Sequence, residues 1–129
     1  MLNDPIANAL SLIVNAEKIG RANCIIRPSS NMIKKILDIL NKKGYVGSFE
    51  TLEAQGGENI LLNLLGKVNK ANAIKPNYAL GYRDVEKFEK RYLPASGFGI
   101  LILSTPKGIM TNEEAREKKI GGKLLAYCY

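Results

Sequence analysis

Residues 98–110 read FGILILSTPKGIM and predict a β-hairpin near the carboxyl end of the chain. The run 98–103 is apolar and continuous, and it is short enough to be a strand buried on both faces. Residues 104–108 combine the serine, proline and glycine that favour tight turns. Ile109 and Met110 then form a brief return strand. The C-terminal half is therefore expected to be mostly β structure.

Downstream of this hairpin, the sequence predicts one short helix and one strand. Thr111 followed three residues later by Glu114 fits a capping box, which marks the start of a helix. That helix is expected to end at the glycine pair Gly121-Gly122. Residues 123–129 then supply a last strand for this lobe.

Upstream of the hairpin, a second short helix and a connection are expected. Asp84 is a candidate cap for a helix that ends before Pro94, with one apolar face made of Val85, Phe88 and Tyr92. Residues 67–75 are polar and rich in lysine. They suit a connection that crosses from one lobe to the other.

The first half predicts the order helix, strand, helix, hairpin. Asp4-Pro5 is a helix start, and the apolar face that follows up to Gly20 is Ile6, Leu10, Ile13 and Val14. Ser29 and Ser30 offer an N-cap for a second helix that closes at Gly44, with the apolar face Ile33, Ile36, Leu37 and Leu40.

Strands are expected at 22–27, 46–54 and 59–65, the last two joined by the turn 55–58. Helices on one face of a small sheet make an α+β lobe. We therefore predict an α+β protein with two small lobes. Residues 1–66 form a helix-strand-helix-hairpin lobe, and residues 67–129 form a mostly β lobe with short helices.

The basic residues are concentrated in the second half. The chain has 19 Lys and Arg against 12 Asp and Glu, a formal charge of +7. Residues 1–65 carry seven basic and six acidic side chains, and residues 66–129 carry twelve and six. This asymmetry is typical of a polyanion binder. A solvated basic face kept for solubility explains the charge equally well.

Cysteine usage and hydropathy indicate an intracellular protein without a structural metal. Cys24 and Cys128 lie far apart in apolar runs, and the chain has no histidine, so a zinc site is not expected. Residues 1–16 have no basic segment of the kind that opens a signal peptide. No stretch has the length of apolar sequence that a membrane span needs.

The sequence lacks residues that the common enzyme signatures require. Without histidine there is no ordinary Ser-His-Asp triad and no Cys-His pair. Gly66-Lys67 and Gly122-Lys123 resemble the end of a P-loop, but no Ser or Thr follows and the earlier glycine is missing. We expect no catalysis, no cofactor and no small-molecule substrate.

Three segments are candidate RNA contacts, and each has an ordinary structural explanation. Residues 104–108 offer two hydroxyls, a lysine and exposed backbone, but they also suit a plain turn. Gly121-Gly122-Lys123 would let another backbone approach beside a cation, or would cap a helix. Residues 27–31 (RPSSN) resemble a phosphate seat at a helix N-terminus, or simply a cap.

Several of these segments together closely resemble the small-subunit ribosomal protein S8 family. The most specific are LSTPKGIMT at 103–111 and its continuation through EEAR at 113–116 to GGK at 121–123. The opening DPIA at 4–7, RPSS at 27–30 and GYVG at 44–47 are similar to the same family. NAEK at 15–18, GSFE at 47–50 and Lys123 look like its archaeal and eukaryotic branch.

The resemblance implies a structural constituent of the small ribosomal subunit, located in the cytoplasm. It would bind a stem with an irregular core in the central domain of the small-subunit RNA and help to assemble it beside neighbouring ribosomal proteins. An alternative is repression of its own mRNA through the same surface. A small enzyme acting on nucleotides or RNA is a further alternative, for which no clustered base and nucleophile are found.

The resemblance also assigns the contact residues. Residues 104–108 would form the main contact loop, in the order Ser104, Thr105, Pro106, Lys107 and Gly108. Gly121, Gly122 and Lys123 would lie beside it, and Ser29, Ser30 and Asn31 would touch a neighbouring part of the stem. Pro106 replaces the serine common in bacterial members, so no hydroxyl contact is expected there.

Overall fold

The computed structural model describes residues 5–26, 31–54, 57–74, 78–94 and 98–129. The chain divides into two compact units, Met1–Lys70 and Ala71–Tyr129. The described residues form four helices and eight strands, which confirms the α+β class. None of the described helices is both long enough and apolar enough to cross a membrane.

The first unit places two amphipathic helices beside a three-stranded antiparallel sheet. Its elements in chain order are α1 (Pro5–Ile19), β1 (Asn23–Ile26), α2 (Asn31–Lys42), β2 (Val46–Ala54) and β3 (Gly57–Leu64). The strand order is β1-β3-β2. The apolar face predicted for α2 is confirmed, since all four of its residues are buried. Leu10 and Ile13 of α1 are buried as well, while Ile6 and Val14 are half-buried.

The turn between β2 and β3 differs from the prediction. Gly57 and Glu58 belong to β3, where Gly57 pairs with Ala54 and Glu58 with Glu53, so the predicted turn 55–58 is too long. Gln55 and Gly56 lie outside the described residues.

Glu17 of α1 accepts hydrogen bonds from the backbone N–H groups of Gly66 (3.3 Å) and Val68 (3.0 Å). These bonds fasten the segment after β3 to α1.

The second unit is a five-stranded antiparallel sheet with two short helices. Its elements are β4 (Ala71–Ala73), β5 (Ala79–Leu80), α3 (Val85–Tyr92), β6 (Ile100–Thr105), β7 (Gly108–Thr111), α4 (Asn112–Lys118) and β8 (Gly122–Cys128). The order is β4-β8-β6-β7, and β5 also pairs with β8. Ile100 to Leu103 are each at most 4% exposed, which confirms a strand buried on both faces over these residues. The predicted run begins two residues too early, because Phe98 is 52% exposed and β6 begins at Ile100.

Three predictions for this unit need correction. Residues 71–73, expected within a connection, form β4, and β5 was not predicted. The turn expected at 104–108 is shorter, because Ser104 and Thr105 end β6 and Gly108 begins β7. Asp84 occupies the cap position of α3 but its side chain makes no capping hydrogen bond. In the β6–β7 loop, Pro106 and Lys107 both have negative φ, and Gly108 after them has φ 119°, a conformation that favours glycine.

Candidate functional site

Four strands of the second unit bring one row of side chains together at the end of the sheet. Ser104 of β6 pairs with Ile109 of β7 on one side and with Lys123 of β8 on the other. Lys123 in turn pairs with Ala79 of β5. Directly paired residues project from the same face of a sheet. We call Ile109, Ser104, Lys123 and Ala79 the cross-strand row; Lys123 and Ala79 are exposed, and the other two are half-buried.

The hairpin loop beside this row is held by the side chain of Thr105. The Thr105 hydroxyl donates a hydrogen bond to the carbonyl oxygen of Gly108 (2.7 Å) and accepts one from the N–H of Lys107 (3.2 Å). Its one proton is therefore used inside the loop, and the residue is only 9% exposed. Pro106 and Lys107 remain exposed at the tip. The Thr105 hydroxyl is thus bonded within the loop, whereas the neighbouring Ser104 belongs to the cross-strand row.

The glycine pair is required by close backbone approach and does not cap α4. A Cβ on Gly121 would collide with the carbonyl oxygen of Leu80, and one on Gly122 with the carbonyl oxygen of Ser104. The residue that ends α4 is Lys119, which adopts the left-handed conformation with φ 54° and ψ 43°. The prediction that Gly121-Gly122 end this helix is wrong. The glycines instead let β8 approach β5 and β6 where the cross-strand row forms.

A buried polar network fixes the other end of the hairpin. The Asn112 side chain accepts a hydrogen bond from the N–H of Leu101 in β6 (3.1 Å) and donates one to Glu89 of α3 (2.8 Å). Glu89 also accepts a hydrogen bond from Arg116 of α4. Thr111, the last residue of β7, caps α4 by accepting from the N–H of Glu114 (3.4 Å), as the capping box predicts. The strands that carry the row are therefore tied to both helices.

The charges of the second unit are separated by element. All six of its carboxylates belong to α3, α4 or the residue that precedes α3 (Asp84, Glu86, Glu89, Glu113, Glu114 and Glu117). The hairpin and β8 carry only cations, Lys107 and Lys123. Cations that are not paired with carboxylates are available to neutralise phosphates. Among the described residues, neither Lys107 nor Lys123 forms a salt bridge, so both meet this condition.

The predicted site residues fall into three groups. The described structure brings together eight of them, in the loop and at the start of β8: Ser104, Thr105, Pro106, Lys107, Gly108, Gly121, Gly122 and Lys123. Asn31 is exposed at the start of α2 in the first unit. Ser29 and Ser30 lie outside the described residues. Ala79 and Ile109 complete the row but were not predicted, since only strand pairing places them there.

The two cysteines are buried free thiols in different units. Burial raises the pKa of the Cys24 thiol, the Glu17 carboxylate raises it further, and Arg21 acts in the opposite direction. Within the described ranges, no three Cys, Asp or Glu side chains lie together as a group that could hold a metal ion.

Comparison with known proteins agrees with the resemblance found in the sequence. The family model for ribosomal protein S8 matches residues 4–129, nearly the whole chain. The chain belongs to the ribosomal protein S8 family. A similar relative is the small ribosomal subunit protein uS8 of Methanococcoides burtonii, which is 46% identical over 129 residues. The match covers 100% of this chain and 99% of the relative. This relative of the S8 family is archaeal, in keeping with the branch indicated by the sequence.

Proposed function

We propose that this chain is a structural constituent of the small ribosomal subunit and binds small-subunit ribosomal RNA. Membership of the ribosomal protein S8 family over residues 4–129 supports the assignment, as does a full-length relative named as a small-subunit protein. The protein works in the cytoplasm as part of the ribosome, and neighbouring small-subunit proteins are its other partners. It acts by binding RNA, without catalysing a reaction.

The observation that carries the proposed contact surface is the pairing of Ser104 with Lys123. A hydroxyl and an ammonium group project side by side from two rigid strands, and Lys107 stands at the adjoining loop tip. Sites built on strands hold their geometry better than sites on loops. Lysines next to hydroxyls are suited to an RNA strand, which offers phosphates, 2′-OH groups and base edges together.

Each residue of the surface has its own role in this proposal. Lys107 and Lys123 neutralise phosphates, and Ser104 hydrogen-bonds a base edge or a 2′-OH group. Thr105 keeps the loop in shape, Pro106 restricts its backbone, and Gly108 adopts the positive φ that follows the turn. Gly121 and Gly122 allow β8 to lie close enough for Lys123 to join Ser104. Ser29, Ser30 and Asn31 make a second contact from the first unit.

The RNA element proposed is a stem with an irregular core in the central domain of the small-subunit RNA. Irregular stems suit this surface because ordinary A-form RNA presents a major groove too narrow for side chains. Unpaired or distorted positions expose the base edges that a single serine hydroxyl can reach. Binding would hold the distorted core in one conformation and so help the subunit to assemble.

A salt titration of RNA binding tests the proposal. Full-length protein is titrated with a small-subunit RNA transcript and with a short irregular stem from its central domain. The double variant Lys107→Ala/Lys123→Ala should reduce the slope of log K against log[salt] by about 1.8, as expected for two phosphate contacts. The matched variant Lys18→Ala/Lys42→Ala removes the same charge from exposed positions of α1 and of the end of α2 away from Asn31, and should change the slope little. Equal losses from both variants would contradict the proposed surface.

A further inference from the structure

The outward side of α3 carries a second cluster of cations that the proposed surface does not use. Arg83, Lys87, Lys90 and Arg91 are all exposed, and with Glu86 they line one open depression. We call these four basic residues the α3 outer face. Within the described ranges, none of the four forms an ion pair. Their charge is therefore available to a ligand.

One of the two carboxylates of α3 is buried and bonded elsewhere, while Glu86 lies in the same depression as the four cations. Glu89 of α3 is buried and accepts hydrogen bonds from Asn112 and Arg116. Only Asp84 and Glu86 remain exposed on and before this helix, against four cations. The surface is thus net positive by about two charges, which favours an anionic partner.

Aromatic rings support both arginines of the α3 outer face. The guanidinium carbon of Arg91 lies 5.7 Å from the ring centre of Tyr78 and 5.5 Å from that of Tyr92. The guanidinium carbon of Arg83 lies 5.7 Å from the ring centre of Tyr82. Cation–π contacts of this kind hold a guanidinium plane in place. Both arginines are exposed, so part of each guanidinium group remains accessible to a ligand.

The rings beneath Arg91 are themselves held in a continuous row. Tyr78, Phe88, Tyr92, Tyr127, Tyr129 and Phe98 follow one another with ring centres 5.3, 6.4, 5.6, 6.1 and 6.5 Å apart. Buried Tyr127 anchors the row, whereas Phe98 at its end is 52% exposed. The support for Arg91 is therefore part of the packed structure of the unit.

We propose that the α3 outer face binds a single-stranded segment of RNA. Lys87 and Lys90 neutralise phosphates, while nucleobases stack on the exposed guanidinium groups of Arg83 and Arg91. Arginine planes and aromatic rings are the usual stacking surfaces for unpaired bases. The carboxylates of an acidic peptide would pair with the edge of each guanidinium group, whereas nucleobases use its flat surface as well as the positive charge. The proposal rests on the proposed function only in taking RNA as the partner, and it shares no residue with the cross-strand row.

Binding of a single-stranded oligoadenylate tests this inference. A length of about twelve nucleotides lies within the site sizes of single-strand-binding modules. Fluorescence anisotropy at several salt concentrations measures the affinity of the full-length protein. Lys87→Ala/Lys90→Ala should reduce the salt slope by about 1.4, since each phosphate contact on a single strand contributes about 0.7. Lys18→Ala/Lys42→Ala is the matched control and should leave the slope nearly unchanged. A control that loses as much slope as the α3 variant overturns the proposal.

Arg91→Lys separates stacking from charge. It keeps the cation but removes the planar group, so it should weaken oligoadenylate binding by about fivefold or more while the salt slope stays the same. Binding of an RNA duplex of the same length should not change. Unaltered oligoadenylate affinity, in a variant shown by circular dichroism to be folded, overturns the proposal.

Ser104→Ala distinguishes this inference from the proposed function. It should weaken binding of the irregular stem and leave oligoadenylate binding intact. If Ser104→Ala leaves the stem unaffected while Arg91→Lys still weakens the oligoadenylate, the proposed stem surface fails and the α3 outer face stands. The reverse pattern removes the α3 outer face and keeps the stem surface.

Discussion

Each unit contains one β-hairpin with a third strand paired to it, and the two hairpins carry opposite charge. β2–β3, over residues 46–64, has the three carboxylates Glu50, Glu53 and Glu58 and no lysine or arginine. β6–β7, over residues 100–111, has Lys107 and no carboxylate, and its neighbour β8 adds Lys123. Similar backbone arrangements thus give one surface that repels a polyanion and one that attracts it.

Burial separates the two hairpins as well. Residues 50–53 of β2 are all exposed, whereas residues 100–103 of β6 are all buried. The polar end of β6 is therefore held by a packed strand, and Ser104 and Lys123 keep a fixed spacing. A net charge of +7 does not show which surface binds RNA. The proposed contact surface depends instead on the local sign of charge on a rigid element.

The largest effect on stability is expected from adding a side chain where β8 and β6 lie in close contact. Gly122→Ala places a Cβ against the carbonyl oxygen of Ser104, so it should lower the free energy of unfolding by about 3 kcal/mol. The matched change in the acidic hairpin is Gly47→Ala, where the Cβ would lie 3.1 Å from the Cβ and 3.2 Å from the carbonyl oxygen of Asn63. A loss of about 1 kcal/mol is expected there. Urea denaturation compares the two, and equal losses would mean that β8 is free to shift away from β6.

The next effect comes from exchanging charges between the hairpins. Lys123→Glu puts a carboxylate into the cross-strand row and should reduce the salt slope of RNA binding by about one unit. Glu53→Lys adds a cation to an exposed position of β2 and should leave specific binding nearly unchanged. The double variant Lys123→Glu/Glu53→Lys has the net charge of the wild type. If it binds the stem like the wild type, net charge alone governs binding and the row is not the site.

The sequence correctly predicts the elements in which the pattern of apolar side chains indicates which residues are buried. The four buried residues of α2 and the apolar run of β6 are confirmed. β4 and β5 were missed because strands of three and two residues are too short for alternation, and they form only because β8 lies beside them. The role of Gly121-Gly122 stayed open because the atoms that exclude a Cβ belong to Leu80 and Ser104, which are distant in sequence.

Within the candidate site, too, the sequence does not show which residues pair across strands. The sequence predicts a turn at 104–108, in which Ser104 and Thr105 are equivalent hydroxyls. Strand alternation in the structure separates them, so that Ser104 joins the row and Thr105 bonds within the loop. The difference depends on where the strand ends, and hairpin boundaries are set by pairing as much as by composition.

A smaller effect is expected when these two hydroxyls are compared directly. Ser104→Ala should weaken binding of the irregular stem by about 1 kcal/mol without changing stability, because one hydrogen bond to RNA is lost. Thr105→Val removes the bonds to Gly108 and Lys107, so it should lower the free energy of unfolding by about 1 kcal/mol. Isothermal titration and urea denaturation measure the two quantities. A Ser104→Ala protein that loses stability but no affinity would show that Ser104 is structural too.

The smallest effect is expected from the cysteines, one in the strand beside each hairpin. Cys24 of β1 pairs with Leu62 of β3, and Cys128 of β8 pairs with Ile100 of β6. The pKa of Cys24 is raised above its ordinary value of 9.0, chiefly by burial and then by Glu17. The folded protein therefore holds the thiol proton of Cys24 more tightly than the unfolded chain does.

The contribution of this thiol to the free energy of unfolding is complete below the unfolded pKa and is lost as the pH rises through the folded pKa. Urea denaturation between about pH 7 and about pH 10 should show a decline for the wild type that is shallower in Cys24→Ala, while stem binding near pH 7 stays the same. An equally steep decline in Cys24→Ala would assign the alkaline loss of stability to other groups.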